Sequence, residues 1–186
     1  MAPWEETDVW KNESQYLIWL RGNLRKSLWQ HYPPKIAFKN ERCVSVTDDM
    51  RKTYELHRSC KFTGQCEFCD SFFPKSKLEV DHVIGCGELT LSNKSEWIDR
   101  LLCKKEDMRL LCKPCHKVHT YAERMGISFE EAKIEKKVIQ FLKSPVKKQK
   151  SLLERYGYPH NNANVRRDSY RSYLTSNEYT KSQTKI

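Results

Sequence analysis

The sequence predicts an α+β fold in which a small central core lies between helical N-terminal and C-terminal regions. Three observations indicate this fold. Leucines recur at helical spacing near the N-terminus, short alternating segments in the middle suit strands, and a capping-box sequence opens a helix at Ser128. Only 38% of the 186 residues are hydrophobic, so the apolar core must be thin. Small thin-cored domains are commonly stabilised by a metal ion, and this chain has eight cysteines.

The first predicted region, residues 1–59, is basic and mainly helical. A helix is predicted over residues 12–30, where leucines recur on one face, at Leu17, Leu20, Leu24 and Leu28. The sequence Tyr32-Pro33-Pro34 should end that helix, because proline disfavours helical backbone in the residue before it. A short helix is predicted to begin at Thr47-Asp48-Asp49 and to run through His57.

The central region, residues 60–126, is predicted to contain two strands and two helices. Residues 77–83 alternate as a short strand, and residues 107–111 form the strand that returns beside it. A short helix over residues 96–103 lies between these strands. A proline that suits a first helical turn then opens another helix at residue 114, which should stop before Gly126.

The third region, residues 127–186, is predicted to be a helical and basic extension. Ser128 and Glu131 form the capping box of its first helix, which Pro145 interrupts. A basic helix is then expected over residues 147–156. The tail after Tyr158 is rich in Asn, Ser, Tyr and Arg, and we expect it to be disordered or to order only on a partner.

The net charge of +10, with a pI near 9.2, indicates an anionic polymer as partner, although a solvated basic surface explains charge alone equally well. Residues 143–186 hold ten Lys and Arg against three acids, and residues 14–40 hold five basic side chains and no acid. The N-terminus carries acids where a signal peptide needs basic and apolar residues, and no stretch is apolar enough for a membrane span. These features predict a cytoplasmic protein without a membrane partner.

Two CxxC pairs are the strongest chemical signal in the chain. Cys66, Cys69, Cys112 and Cys115 have the spacing of a tetrahedral four-cysteine zinc site, and cysteines in the cytosol favour metal over disulfides. The forty-two residues between the pairs exceed the insert of a simple zinc ribbon. For the other cysteines we favour free buried thiols, with a second metal site as the alternative; they are Cys43, Cys60, Cys86 and Cys103.

Four further residues are candidates for chemistry beyond a structural zinc. Asp81 and His82 are adjacent at a predicted strand end, so Asp81 can bind a metal while His82, which titrates near neutral pH, takes a proton from water. His116 directly follows Cys115, so a zinc at that cysteine would also fix its position. His119, three residues on, is a candidate ligand or phosphate donor, although a surface histidine is the favoured interpretation.

From Cys60 to Arg124 the chain resembles the HNH endonucleases, which have a ββα-metal fold. The resemblance lies in the segments CEFC, LEVDHVIG and DMRLLCKPCHKVHT. It implies that His82 is the general base, that Asp81 and His116 bind a catalytic divalent metal, and that the four cysteines bind structural zinc. Mg²⁺ or Mn²⁺ suits such a carboxylate–imidazole site, and Zn²⁺ is a further candidate.

The wider layout resembles small HNH proteins of tailed bacteriophages, which implies the cytoplasm of a bacterial host. Two residues depart from the family pattern: Gly85 stands where many members have proline, and Asp107 stands where the family has Asn. Asp107 is therefore a candidate catalytic or metal-binding residue, and its charge would raise the pKa of a nearby His82.

The resemblance implies metal-dependent hydrolysis of DNA phosphodiester bonds, with nicking or cutting of both strands left open. Candidate phosphate contacts are the basic residues Arg21, Arg25, Lys147, Lys148, Arg166, Arg167 and Arg171. One alternative is a non-catalytic zinc module that binds nucleic acid, which explains the cysteines and the charge. Another is a zinc-scaffolded protein-interaction module, which leaves the charge unexplained.

Overall fold

The computed structural model describes residues 2–176, which form two compact units with a boundary between residues 116 and 117. Helices and two small sheets are both present, so the α+β class is confirmed. The two units do not coincide with the three predicted regions, because the first unit includes residues on both sides of position 59. None of the described helices is long and apolar enough to cross a membrane.

The first unit contains both strands predicted for the central region, the helix between them, and the start of the helix that follows the second strand. Its helices are α1 (Glu13–Leu24), α2 (Pro33–Glu41), α3 (Asp48–Thr53), α4 (Lys94–Leu101) and the start of α5 (Lys113–Met125). Its strands are β1 (Cys43–Ser45), β2 (Phe62–Gln65), β3 (Phe72–Pro74), β4 (Leu78–His82) and β5 (Met108–Cys112). A π-helical turn, Arg25–Trp29, continues α1 and places Trp29 in the interior.

Helix α2 was not predicted, because Pro33 and Pro34 were interpreted only as a stop. Pro33 instead occupies the first turn of α2, where its missing N–H costs nothing. Thr47 caps α3 as expected, since its side chain accepts from the backbone N–H of Met50.

Two antiparallel sheets organise the first unit. Strands β1, β2 and β3 form one sheet in that order, and β4 pairs with β5 in the other, with Asp81 opposite Arg109. Gly64 lets β2 lie close to the end of α2 and to β4. A Cβ at this position would lie only 3.0 Å from the Arg42 carbonyl and from Leu78 Cδ1. The core beside β4 and β5 is closed by large buried side chains, among them Trp29, Phe38, Trp97, Leu101 and Leu110.

The second unit, residues 117–186, is helical throughout its described part. It comprises the rest of α5 followed by α6 (Phe129–Leu142), α7 (Val146–Arg155) and α8 (Ala163–Thr175). The predicted capping box of α6 is present, with Ser128 and Glu131 bonded reciprocally. Val138 of α6 packs with Tyr173 and Leu174 of α8 in a small core.

Helix α8 corrects the expectation of a disordered or partner-ordered tail for residues 163–175. Asn162 caps α8 by accepting from the Val165 N–H, and tyrosines supply the apolar face that the tail's polar composition concealed. Residues 177–186 lie outside the described part of the chain.

Candidate metal centres of the first unit

The four predicted zinc ligands lie together. The sulfur atoms of Cys66, Cys69, Cys112 and Cys115 are all within 4.8 Å of one another, and those of Cys69 and Cys112 are 4.0 Å apart. In a tetrahedral zinc site with bonds of about 2.3 Å, the sulfurs are about 3.8 Å apart. The arrangement therefore fits one metal ion such as zinc.

Two backbone turns bring these sulfurs together. The first follows β2: the Asp70 N–H donates to the Cys66 carbonyl, and Asp70 adopts a φ of 55°, which turns the chain back toward β3. The second turn joins β5 to α5, where the Cys115 N–H points at the Cys112 sulfur at 3.5 Å. Burial raises the pKa of the Cys115 thiol and the neighbouring cysteines raise it further, so a cation at the centre would relieve this penalty.

Among the described residues, the remaining four cysteines form no metal-holding group. All four are free thiols: Cys43 and Cys86 are buried, whereas Cys60 and Cys103 are half-buried. The expected burial is therefore found at two of the four positions.

Asp81 and His116 also lie together, and His116 directly follows Cys115 of the cysteine cluster in the sequence. His116 stands in the first turn of α5, and its Nε2 is 3.3 Å from Asp81 Oδ1 on β4. Its Nδ1 is 2.6 Å from Oε2 of Glu79 on the same strand. The imidazole is therefore held between two carboxylates.

The contacts between Asp81 and His116 shift the pKa values of both side chains. The hydrogen bond to Asp81 is the main cause that raises the pKa of His116 to about 9; burial opposes it, and Glu79 adds to it. Burial alone would raise the pKa of Asp81, but His116 and then Arg109 hold it below its ordinary value. In the metal-free protein, the cation between these carboxylates is the His116 imidazolium.

The four cysteines are the only group of three or more potential ligands that lie close together in the described part of the chain, but the spacing of Asp81 and His116 is compatible with two ligands of one metal ion. Two atoms that occupy adjacent positions of an octahedral ion at about 2.1 Å are about 3.0 Å apart, and Asp81 Oδ1 and His116 Nε2 are 3.3 Å apart. The Asp81 carboxylate suits Mg²⁺ or Mn²⁺ as a ligand, whereas the His116 imidazole suits softer ions such as Zn²⁺. Binding would require His116 Nε2 to release its proton.

His82 lies on the opposite face of β4 from Asp81. Its ring is buried and stacks on Trp29 with centroids 4.2 Å apart, and the Leu101 carbonyl accepts from Nε2 at 3.0 Å. Because a carbonyl only accepts, this bond keeps the proton on Nε2 and leaves the lone pair of the neutral ring on Nδ1. Burial holds the pKa of His82 below its ordinary value.

The backbone of Asp107 lies beside the end of β4, where its carbonyl accepts from the Val83 N–H at 2.8 Å. Its side chain is exposed at the turn before β5. Burial raises the pKa of the Cys103 thiol to about 11, and the Asp107 carboxylate contributes to that rise. The acid that acts on His82 is Asp81, and the expected influence of Asp107 on the His82 pKa is not among the causes that shift it.

The candidate phosphate contacts fall into different environments. Arg21 is exposed on α1, and Lys147, Lys148 and Arg167 are exposed in the second unit. Arg25 is exposed, and its guanidinium lies 5.9 Å from the centroid of the Trp97 ring. The Cys86 sulfur lies 3.7 Å from His82 Nε2.

Two arginines of the second unit are already engaged. Arg166 is buried, and its Nε donates to Gln149 Oε1 at 2.8 Å, so its expected role as a surface phosphate contact is corrected: it organises the interior of the second unit. Arg171 pairs with Glu135 and Asp168, which offset its charge. His119 Nδ1 lies 3.6 Å from Glu123 Oε2 on α5.

Sequence reasoning missed Glu79 and Arg109. Alternation along β4 was the available signal for Glu79, because residues two apart on a strand share a face. Arg109 required the register of β4 and β5, which the sequence does not specify. The sequence gives no signal that singles out Lys35 of α2, whose Nζ lies over the Trp29 ring at 4.8 Å and whose charge helps to lower the pKa of His82.

The chain matches no family model, no curated protein and no solved structure.

Proposed function

We propose that the chain is a metal-dependent endonuclease of the HNH type that hydrolyses phosphodiester bonds of DNA. The observation that carries the proposal is the Asp81–His116 pair, 3.3 Å apart, at the point where an antiparallel strand pair leads directly into a helix. The four-cysteine cluster fixes the start of that helix. Asp81 and His116 thus lie together, and they occupy the positions that the family pattern gives to the ligands of its catalytic metal.

In this proposal each residue has a distinct task. Asp81 and His116 would hold a divalent cation, which would supply positive charge to the attacked phosphate. His82 Nδ1 takes a proton from water, and its lowered pKa keeps the ring neutral and ready to do so at neutral pH. Asp81 and His82 are adjacent at the end of β4, so a phosphate bound at this strand end would be within reach of both faces. Arg25 and Lys35, whose charges help to lower the pKa of His82, are candidate phosphate contacts on the His82 side.

DNA as substrate is supported by the charge of +10 and by exposed basic side chains in both units. Arg21 and Arg25 belong to the first unit, and Lys147, Lys148 and Arg167 belong to the second. Arg166 and Arg171 are left out of this set because other side chains engage them. A bacteriophage origin and the cytoplasm of a bacterial host are parts of the same proposal that rest on the resemblance alone.

A non-catalytic zinc module that binds nucleic acid is the second candidate. It is favoured by one observation: His82 is buried, stacked on Trp29 and hydrogen-bonded to Leu101, which is also the environment of a structural histidine. In that case Asp81, Glu79 and His116 form a structural ion network.

Plasmid DNA incubated with the zinc-loaded protein and Mn²⁺ or Mg²⁺ separates the two candidates. The nuclease converts supercoiled plasmid to nicked or linear product, EDTA stops it, and His116→Ala loses the activity. Retarded plasmid without cleavage products at any concentration of Mn²⁺ would support the non-catalytic module.

A further inference from the structure

Glu79 has no role in the proposed function so far, although it makes one of the shortest polar contacts of the first unit. Its Oε2 lies 2.6 Å from His116 Nδ1, while the other ring nitrogen, Nε2, faces Asp81. Glu79 and Asp81 are two residues apart on β4 and therefore lie on the same face of the strand.

We infer that Glu79 is a positioning residue, which orients His116 as a ligand of the divalent metal; this inference rests on the proposed function. A carboxylate that accepts from Nδ1–H fixes the proton on that nitrogen, so the lone pair of the neutral ring is on Nε2. Nε2 is the atom that faces Asp81. Histidine ligands of metals almost always donate their other N–H to such a partner.

The β4–β5 pairing holds Glu79 close to His116. The backbone of Glu79 is paired with Leu111 of β5, and the next residues of β5 lead through Cys112 into α5. The strand that carries Asp81 therefore also carries the group that sets the tautomer of His116. The pairing of β4 with β5 therefore fixes the positions of Glu79 and Asp81 relative to the start of α5, which carries His116.

The test measures Mn²⁺ affinity by calorimetry on the zinc-loaded chain, in wild type, Glu79→Gln, His116→Ala and the double variant. Loss of an outer partner of a ligating histidine typically costs about 10–100-fold in metal affinity, so Glu79→Gln should weaken Mn²⁺ binding by that factor. Glu106→Gln, which removes an exposed carboxylate of the same unit, is the matched control and should bind as wild type does. Zinc content and circular dichroism verify that each variant is folded, and Glu79→Ala replaces Glu79→Gln if the latter is not.

The double variant distinguishes positioning from direct ligation. If Glu79 acts through His116, Glu79→Gln has no further effect on Mn²⁺ affinity once His116 is alanine. An undiminished effect in that background would make Glu79 a ligand itself and overturn the inference, as would wild-type affinity in Glu79→Gln. Failure of the proposed function is a separate result: wild-type protein that neither binds Mn²⁺ nor cuts plasmid refutes both, whereas cutting with normal Mn²⁺ affinity in Glu79→Gln refutes only the inference.

Discussion

Arg109 donates two hydrogen bonds to one oxygen of Asp81: Nη2 lies 3.2 Å and Nε 3.4 Å from Oδ2. The other oxygen, Oδ1, is thereby directed toward His116. The guanidinium also lies over the ring of Phe68, which stands between Cys66 and Cys69. The turn that holds two of the cysteines thus also supports the arginine that orients Asp81.

Replacing Arg109 should destabilise the first unit. Arg109→Ala leaves the half-buried Asp81 carboxylate without its guanidinium, and we expect a loss of about 1–3 kcal/mol in the free energy of unfolding. Urea unfolding of the zinc-loaded protein measures this loss. Arg58→Ala, which removes an exposed arginine of the same unit, should leave the unfolding midpoint unchanged. Equal midpoints for the two variants would contradict a supporting role for Arg109.

Removal of the metal from the cysteine cluster should unfold the first unit. Its sulfurs join the turn after β2 to the start of α5. Because such a site does not exist in the unfolded chain, the free energy of zinc binding contributes directly to the stability of the fold. We expect one tightly held zinc per chain, and loss of strand signal on chelation or in Cys112→Ser. Cys60→Ser is the control, because Cys60 lies outside the cluster. A chain that keeps its fold without zinc would contradict this prediction.

Replacing His82 should affect both cleavage and stability. His82→Ala removes the proposed base and also leaves the Leu101 carbonyl without its donor, at an expected cost of about 1–3 kcal/mol. We expect plasmid cleavage to be abolished while zinc content and Mn²⁺ affinity remain close to wild type, because Asp81 and His116 lie on the other face of β4. Cleavage assays below the unfolding temperature of the variant, with zinc analysis in parallel, test this. Cleavage at the wild-type rate would remove His82 from the mechanism.

Asp107→Asn should change the activity little. The exposed carboxylate of Asp107 acts on Cys103, whereas burial, Leu101 and Asp81 are the main influences on the pKa of His82. We therefore expect the pH profile of plasmid cleavage to keep its acid limb within experimental error. A clear shift of that limb to lower pH would show that Asp107 acts on the base after all.

The sequence predicted the parts of the first unit that are encoded locally. The CxxC spacing gave the cysteine cluster, and the alternation of residues 77–83 gave β4 together with its Asp81-His82 end. What it could not give depends on pairing between distant segments. The Asp81–Arg109 contact requires the β4–β5 register, and Trp29 reaches His82 only because a π-helical turn lies between α1 and α2.

In the C-terminal region, the sequence led us to expect too little structure rather than too few contacts. Polar composition suggested a tail without structure, yet α8 is held by aromatic contacts such as Phe141 with Tyr170, whose ring centroids are 3.8 Å apart. Composition averages over a segment, whereas the periodic placement of Tyr170, Tyr173 and Leu174 decides whether one helical face is apolar. A helix with so few apolar residues depends on its neighbours for stability.

Adjacent arginines of α8 provide the sharpest test of DNA contacts in the second unit. Arg166 is buried against Gln149, whereas Arg167 is exposed. Arg167→Ala should leave stability unchanged and weaken DNA binding, and it should lower the slope of log K against log salt by about 0.9 if one phosphate contact is lost. Fluorescence anisotropy with a DNA duplex over a salt series measures both quantities.

Arg166→Ala should have the opposite profile. It leaves the buried Oε1 of Gln149 without the Arg166 donor, so we expect a loss of about 1–3 kcal/mol in the free energy of unfolding, with the salt slope unchanged under folding conditions. Deletion of residues 158–186 should likewise destabilise the second unit, because it removes Tyr173 and Leu174 from the core around Val138. Thermal unfolding of the two variants and of Arg167→Ala gives the comparison. A reduced salt slope in folded Arg166→Ala would return Arg166 to the set of phosphate contacts.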